Sequence, residues 1–301
     1  MENQPVLEIL AFTDPVCTWC WGAEPVLRKL QVGYGDQVRI RPVMGGLVED
    51  IRAFRDRANG IGGDPEGSNA QIAAHWLEAS ARHGMPVRTD GFRLFTAETV
   101  STYPQNIAYK AAELTAPDLA ARYLRRLREA SAAEARETGR HEVLIELASE
   151  VGLDLATFIG HFTDGSAERA FRADLETTRQ FGVRGFPTFG LSFGGRAMLL
   201  RGYQTFQAMQ AAIETLSEGV LQWRTPIADA DSLLGFLRAV GRVAPVELTT
   251  VFDLHPSDLE LLLSGLETAG TIRRVIAGNG CFWEAITSGA ICDPVTGLCA
   301  G

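Results

Sequence analysis

Two cysteines separated by two residues, Cys17 and Cys20, are the side chains in this 301-residue sequence best suited to chemistry. A pair at this spacing can close a small disulfide and reopen it by thiol–disulfide exchange. The apolar run from Val6 to Phe12 predicts a buried strand before the pair, and the helical spacing of Val26 and Leu30 predicts a helix after it.

This order places Cys17 at or just before a helix N-terminus. Unpaired N–H groups and the positive end of the helix dipole favour a thiolate there. The expected roles are therefore an attacking thiolate at Cys17 and a resolving thiol at Cys20.

The pair has two other interpretations, a structural zinc site and two inert buried thiols. A structural zinc site needs a second pair of ligands, and the remaining cysteines, Cys281, Cys292 and Cys299, form no second motif of this spacing. Two inert buried thiols fit poorly with the turn expected at Asp14-Pro15. Redox chemistry is favoured, with no metal ligands assigned.

Composition narrows the class of protein. The sequence is 46% hydrophobic and 22% charged, which is typical of a globular protein. No apolar run approaches the length of a membrane span, and the N-terminus has no basic region of a secretory signal. A net charge of −9 disfavours general nucleic-acid affinity. These features predict a cytoplasmic protein without membrane association.

The predicted elements describe a domain over residues 1–218. A β-α-β unit ends with a strand at 38–44, and a helical insertion of about 50–181 follows. Within it, the Gly-rich residues 59–67 are expected to form a surface loop, and the chain is predicted to be helical throughout from about 69 to 181. Two strands joined by Gly194-Gly195 and a helix at about 206–216 complete the order. This α/β order is that of a thioredoxin-like fold with a helical insertion.

Two separated stretches, Phe12–Pro25 and Gly182–Phe189, carry a family resemblance. Together they resemble the DsbA family of thiol–disulfide oxidoreductases, and most of all its cytosolic branch of FrnE-like proteins and of a DsbA-like adaptor for the ClpXP protease. The resemblance covers roughly residues 5–216. It implies catalysis by Cys17 and Cys20 without a bound cofactor, on protein substrates that carry thiols or disulfides.

The resemblance also assigns residues around the pair. It implies a cis Phe186–Pro187 bond beside the disulfide, with Pro187 positioning an extended substrate chain. Trp19, Phe186 and Thr188 are the expected substrate contacts.

The dipeptide between the cysteines, Thr18-Trp19, departs from better-known family members. Trp19 cannot stabilise a thiolate as a histidine would, which leaves the redox potential open. Glu24 lies four residues after Cys20 on the same helical face. A buried Glu24 with a raised pKa would relay a proton to or from Cys20, whereas an exposed surface glutamate is the other interpretation.

Residues 219–301 form a C-terminal extension in which three helices and a hairpin are predicted, an order that resembles a winged helix. The extension contains nine Asp or Glu and five Arg. Because nucleic-acid affinity needs phosphate-neutralising cations and this segment is net acidic, homodimerisation or client binding is favoured over DNA binding.

The tail holds Cys292 and Cys299 around an Asp-Pro turn. A second redox pair that exchanges with Cys17–Cys20 is one hypothesis, and two free thiols on a frayed end are the other. For the whole chain, the favoured function is a protein-disulfide oxidoreductase or isomerase. The alternatives are a redox-sensitive adaptor for a cytosolic protease and a DNA-binding redox sensor.

Overall fold

A computed structural model describes residues 6–286 and the short strands at 291–292 and 299–300. A four-stranded sheet organises the first part of the chain, in the order β2-β1-β3-β4. Its strands are β1 (Leu7–Thr13), β2 (Val38–Met44), β3 (Thr188–Phe193) and β4 (Arg196–Arg201). β1 pairs parallel with β2 and antiparallel with β3, and β3 pairs antiparallel with β4. The predicted β-α-β, insertion, β-β-α order is confirmed.

Three helices pack close to this sheet: α1 (Thr18–Gly22), α2 (Glu24–Tyr34) and α9 (Phe206–Ser217). Residues Leu7 and Ile9 of β1 are fully buried against Leu30 of α2 and Ile213 of α9. Pro25 lies in the first turn of α2, where its missing N–H costs no helical hydrogen bond. The chain therefore passes from α1 into α2 within two residues of Gly22.

The insertion is built mostly of helices. They are α3 (Pro65–His83), α4 (Tyr103–Thr115), α5 (Pro117–Arg128), α6 (His141–Glu150), α7 (Leu155–Thr163) and α8 (Ser166–Gln180), with a π-helical turn at Glu129–Ala133. α3 begins inside the segment expected to be a surface loop, because the Asp64 carboxylate accepts the Gly67 N–H at 2.6 Å and caps the helix.

The prediction of continuous helix from 69 to 181 is wrong for residues 84–102. Gly84 adopts a left-handed conformation that ends α3, and Pro86 cannot donate to a further helical turn. Met85, Val87, Leu94 and Phe95 of this segment are nevertheless buried. Asn69 bonds the backbone of Leu94 and Phe95 at 2.7–2.9 Å.

The extension contains the three predicted helices and the predicted hairpin. They are α10 (Ala230–Val240), α11 (Pro245–Phe252), α12 (Pro256–Thr268), β5 (Ile272–Ala277) and β6 (Gly280–Ala285). Whether they constitute a winged helix, and whether a domain boundary falls at 218, stay predictions. Phe282 of β6 shares one hydrophobic cluster with Trp21 of α1, so the extension packs directly on the helix that carries Cys20.

The hairpin turn of the extension is also bound to the insertion. Asn279 donates its N–H to the Val87 carbonyl at 2.9 Å and accepts the Val87 N–H at 2.8 Å. Gly278 has φ +54°, and a Cβ there would lie 2.1 Å from the same carbonyl oxygen. The backbone of the hairpin turn is therefore already bonded to the insertion of the same chain.

Two short strands lie in the tail, β7 (Ile291–Cys292) and β8 (Cys299–Ala300). They pair antiparallel with Cys292 opposite Cys299 in register. The side chains of both cysteines lie outside the described residues, so a disulfide or second redox pair there stays a prediction.

Candidate functional site

The cysteine pair lies at the start of α1, where the sequence placed it. Cys17 is the N-cap residue, and its Sγ accepts the Cys20 N–H at 3.3 Å. The Cys17 N–H in turn donates to the Asp14 carbonyl at 3.2 Å. A sulfur in this position receives the unpaired amide of the first helical turn, as a capping oxygen would.

A buried carboxylate, Asp14, fixes the turn that leads into the pair. It accepts the Val16 N–H at 3.0 Å and the Leu47 N–H at 2.7 Å. Thr102 and Asn106 of the insertion donate to it at 3.0 and 2.8 Å. Burial raises its pKa, and these four hydrogen bonds oppose that rise. Sequence reasoning used Asp14 only as a turn signal, although an aspartate beside a redox motif deserved consideration as an anchor.

The second motif meets the pair in space. The Phe186–Pro187 bond is cis. The Phe186 carbonyl oxygen lies 3.7 Å from the Cys17 Sγ, across 169 positions of sequence. Thr188 is buried, and its hydroxyl donates to the Gly185 carbonyl at 2.8 Å, so this side chain supports the turn before Pro187.

The two sulfurs face different spaces. Cys17 lines a cleft of 810 Å³, whose other walls come from α1, the residues after β2, α3 and the loop before β3. Cys20 lines a separate inner pocket of 130 Å³. Cys17 is 7% exposed and Cys20 is 2% exposed. A substrate sulfur entering from the cleft therefore meets Cys17 first.

Apolar side chains dominate the cleft. Trp19 and Phe186, two of the expected substrate contacts, line it, whereas Thr188 does not. Further apolar walls come from residues that sequence analysis did not single out: Leu47, Ile51, Phe54, Ile61, Ile72 and Trp76. No short motif marks this set, because it is drawn from three separate segments.

The pair shares one proton between its sulfurs. The pKa of Cys17 is raised, first by its hydrogen bond to Cys20 and then by burial. Burial acts to raise the pKa of Cys20 too, but its hydrogen bond with Cys17, the charge of Arg128 and the Thr13 hydroxyl outweigh burial and lower it. The first negative charge of the reduced pair is therefore shared by the two sulfurs, with the Cys20 N–H bonded to the Cys17 Sγ and the charge of Arg128 near Cys20.

Aromatic rings surround the exposed side of α1. The half-buried Trp19 ring lies 5.8 Å from Tyr203 and 5.9 Å from His83, measured between ring centroids. His83 is buried, and burial lowers its pKa to about 4. Trp21 is 1% exposed and donates its indole N–H to the Pro86 carbonyl at 3.0 Å, so its ring belongs to the core.

Glu24 departs from both sequence interpretations. Its side chain is only 13% exposed, so it is not a surface residue. Burial acts to raise its pKa, yet the guanidinium groups of Arg128, Arg28 and Arg125 outweigh burial and lower it. A carboxylate held in its charged form lacks the raised pKa on which the proton-relay hypothesis depended.

The fold and this site define a thioredoxin-like protein with a DsbA-type cysteine pair. A family model described as Thioredoxin matches residues 10–210. The chain belongs to the thioredoxin family.

Particular relatives divide into two groups. The chain is 31% identical to the ClpXP adapter protein SpxH of Halalkalibacterium halodurans, over 94% of this chain and 90% of that relative. It is 25% identical to SpxH of Bacillus subtilis over the same shares. The cytosolic disulfide reductase DsbM from Pseudomonas aeruginosa superposes with a TM-score of 0.55 at 26% identity, over 69% of this chain and 97% of that chain.

The similarity to SpxH covers 94% of this chain, whereas the similarity to DsbM covers 69%. An alignment over 94% of a 301-residue chain leaves out about 18 residues, whereas the extension from 219 onward has 83. Most of the extension is therefore shared with the SpxH relatives. Among the described residues, no helix has the length and apolar character needed to cross a membrane.

Proposed function

We propose that this protein exchanges thiols and disulfides with cysteines of client proteins, as a protein-disulfide oxidoreductase or isomerase. The observation that carries the proposal is the position of the Cys17 Sγ, which faces the cleft at a helix N-terminus, 3.7 Å from the Phe186 carbonyl oxygen. Cys20 lies behind it and away from the cleft.

The reduced pair attacks a client disulfide in two steps. Cys17, as the thiolate of the reduced pair, attacks one client sulfur while Cys20 keeps the remaining proton. A mixed disulfide forms and one client thiolate leaves. Cys20 then gives its proton to the first client thiolate, directly or through water, and attacks the Cys17 Sγ, which releases the second client thiolate. Two electrons pass to the client, and the protein keeps the Cys17–Cys20 disulfide; oxidation of a client is the reverse.

The cleft supplies the binding site in this proposal. A client segment with apolar side chains on either side of its cysteine would pack on Trp19 and Phe186. Pro187 would hold the preceding backbone in place for pairing with an extended chain. A cytoplasmic location is proposed with this function, in line with the reductase DsbM.

Single serine variants test the assignment of roles. Cys20→Ser should accumulate a mixed disulfide with a cysteine-containing peptide disulfide, because Cys17 can attack but nothing resolves the product. Cys17→Ser should accumulate none. Non-reducing electrophoresis and intact mass spectrometry measure both outcomes. Trapping by Cys17→Ser, or no reversible oxidation of the parent pair in a glutathione buffer, would refute the proposal.

A second candidate is an adaptor that delivers clients to the ClpXP protease. The similarity to SpxH relatives over most of the extension favours it. The discriminating variant is Cys17→Ser/Cys20→Ser, assayed with purified ClpXP and a protein extract. An adaptor should still accelerate degradation of particular proteins, whereas an obligatory redox step predicts loss of that acceleration.

DNA binding is not proposed. The extension carries a formal charge of −4 from five Arg against nine Asp or Glu. Its hairpin turn is occupied by Val87, and Arg273 of β5 is ion-paired with Glu284 at 2.5 Å. Client binding or a homodimer through the remaining surface of the extension stays a prediction.

A further inference from the structure

A chain of buried charges runs from the C-terminal extension to the back of the cysteine pair. The mechanism proposed above uses none of these charges. They lie on the side of α1 that faces away from the cleft, and several of them line the inner pocket beside Cys20.

The inner end of this chain of charges is Arg128, the last residue of α5. This guanidinium is 4% exposed, forms an ion pair with Glu24, and donates from Nη2 to the Thr13 Oγ1 at 2.5 Å. A hydroxyl that accepts a hydrogen bond from a cation has its own O–H free to donate. Thr13, Cys20 and Arg128 line one pocket, so the hydroxyl and the guanidinium both lie on the Cys20 side of the pair.

The outer end is Glu247 on α11 of the extension, which is fully buried. Its carboxylate accepts two hydrogen bonds from Arg125, at 2.9 and 2.8 Å, and one from the Arg28 Nε at 2.7 Å. It also accepts the Ala244 N–H at 2.8 Å. The extension thus places a full negative charge inside the core of the first 218 residues.

Glu24 joins the two ends. Its second oxygen lies 3.4 Å from an Arg28 nitrogen and 3.7 Å from an Arg125 nitrogen, so it divides its charge between them and Arg128. Glu129 completes the set by bonding the Arg125 Nε at 2.7 Å. Glu129 also lies 3.7 Å from an Arg242 nitrogen and 4.0 Å from an Arg126 nitrogen, so the network continues into those two arginines. Asp14 is a further charged group near Cys17.

We propose that Arg128, acting through the Thr13 hydroxyl, stabilises the thiolate of the reduced Cys17–Cys20 pair, and that the extension sets the strength of this effect through Glu247. Arg128 and Thr13 are positioning residues here, because neither contacts the client. With Glu247 in place, Arg28 and Arg125 are neutralised, and Glu24 is left to offset Arg128. This inference rests on the thiol–disulfide function proposed above.

Thr13→Val tests the inner end. Valine keeps the branched shape of a strand residue and removes only the hydroxyl. The reduced pair should lose a charge-assisted hydrogen bond, and the equilibrium of the protein dithiol with oxidised glutathione should shift toward the protein disulfide by about tenfold. That change corresponds to about 30 mV toward a more reducing potential.

Glu247→Gln tests the outer end and should act with the opposite sign. Arg28 and Arg125 lose a negative partner and draw Glu24 away from Arg128, so the net charge behind the thiolate becomes more positive. The equilibrium with glutathione should therefore shift toward the reduced pair by about threefold or more. The pH dependence of thiolate absorbance should show the thiols of Thr13→Val ionising at higher pH and those of Glu247→Gln at lower pH than the parent.

Two matched controls separate this effect from general loss of packing. Asp253→Asn removes a carboxylate that pairs with Lys29 across the same α2–α11 contact, but outside the chain of charges. Thr138→Val removes a buried hydroxyl that has no hydrogen-bond partner among the described residues. Both should leave the glutathione equilibrium within about twofold of the parent.

The outcomes distinguish the two proposals. If the parent pair does not exchange with glutathione at all, the proposed function fails and this inference fails with it. If the parent exchanges but Thr13→Val and Glu247→Gln stay within twofold of it, or shift in the same direction, only this inference is overturned. Should Glu247→Gln lose its native circular dichroism, Arg28→Gln tests the same step and must shift toward the disulfide.

Discussion

Acidification should destabilise this protein through His83, the last residue of α3. Its ring is 3% exposed, and Nδ1 accepts the Met85 N–H at 3.1 Å. The proton of the neutral ring is therefore on Nε2, which lies 3.4 Å from the Thr18 Oγ1. Protonation of Nδ1 would set an N–H against the Met85 N–H inside a buried site, a change that folding disfavours.

The magnitude follows from the pKa. Burial lowers the pKa of His83 to about 4, from 6.5 in an exposed histidine. Between those values the unfolded chain binds a proton that the native state does not. Stability is therefore fully present above pH 6.5 and is lost as the pH falls toward 4. The two-state linkage relation gives a loss of about 2 kcal/mol between pH 7 and pH 5 from this one group.

Urea unfolding of the parent and of His83→Gln at pH 7 and pH 5 measures the effect. The difference between the two proteins at pH 7 reports the cost of lost packing, so its change with pH isolates the proton linkage. The variant should lose about 2 kcal/mol less than the parent on acidification. Equal losses in the two proteins would refute the assignment of a neutral, buried imidazole beside α1.

Two glycine substitutions test close approaches. A Cβ on Gly45 would lie 2.0 Å from the Phe186 ring. Gly45→Ala should therefore shift that ring and slow mixed-disulfide formation by about tenfold or more. An unchanged rate would mean that the ring does not position the client. Gly278→Ala should cost about 2–4 kcal/mol in urea unfolding, since φ is +54° and the Cβ would meet the Val87 carbonyl. Gly235→Ala is its control within the extension: the site is open and helical, so a cost near that of Gly278→Ala would contradict the argument.

The sheet and the redox motif were predictable because their signals are local. The run that became β1 is mostly apolar and is followed by Asp-Pro, and the run that became β2 alternates apolar residues with arginines before Gly-Gly. A cysteine before a helical repeat marks an N-terminus without knowledge of the fold. The Phe186–Pro187 position came from a family resemblance, since a lone proline in a loop carries no such information.

The contacts behind the pair were not predictable in the same way. Glu247 belongs to an amphipathic helix, where a glutamate is ordinarily exposed. It is buried because Arg28 and Arg125 surround it, from positions 219 and 122 residues away. Each arginine has a glutamate four residues away, Glu24 for Arg28 and Glu129 for Arg125, but that spacing indicates only a local ion pair and not a contact with Glu247. Long-range pairing of buried charges depends on the assembled core, and no periodic pattern in a single sequence predicts it.

The extension therefore does more than follow the thioredoxin-like unit. Its β6 packs Phe282 against Trp21, its hairpin turn holds the Val87 backbone, and its α11 neutralises two arginines beside α2. Each contact ends within α1, α2 or the segments packed on them. A client bound to the extension and a disulfide formed at Cys17 would act on one connected core. The two proposed functions, delivery of clients and redox exchange, are therefore compatible within one chain.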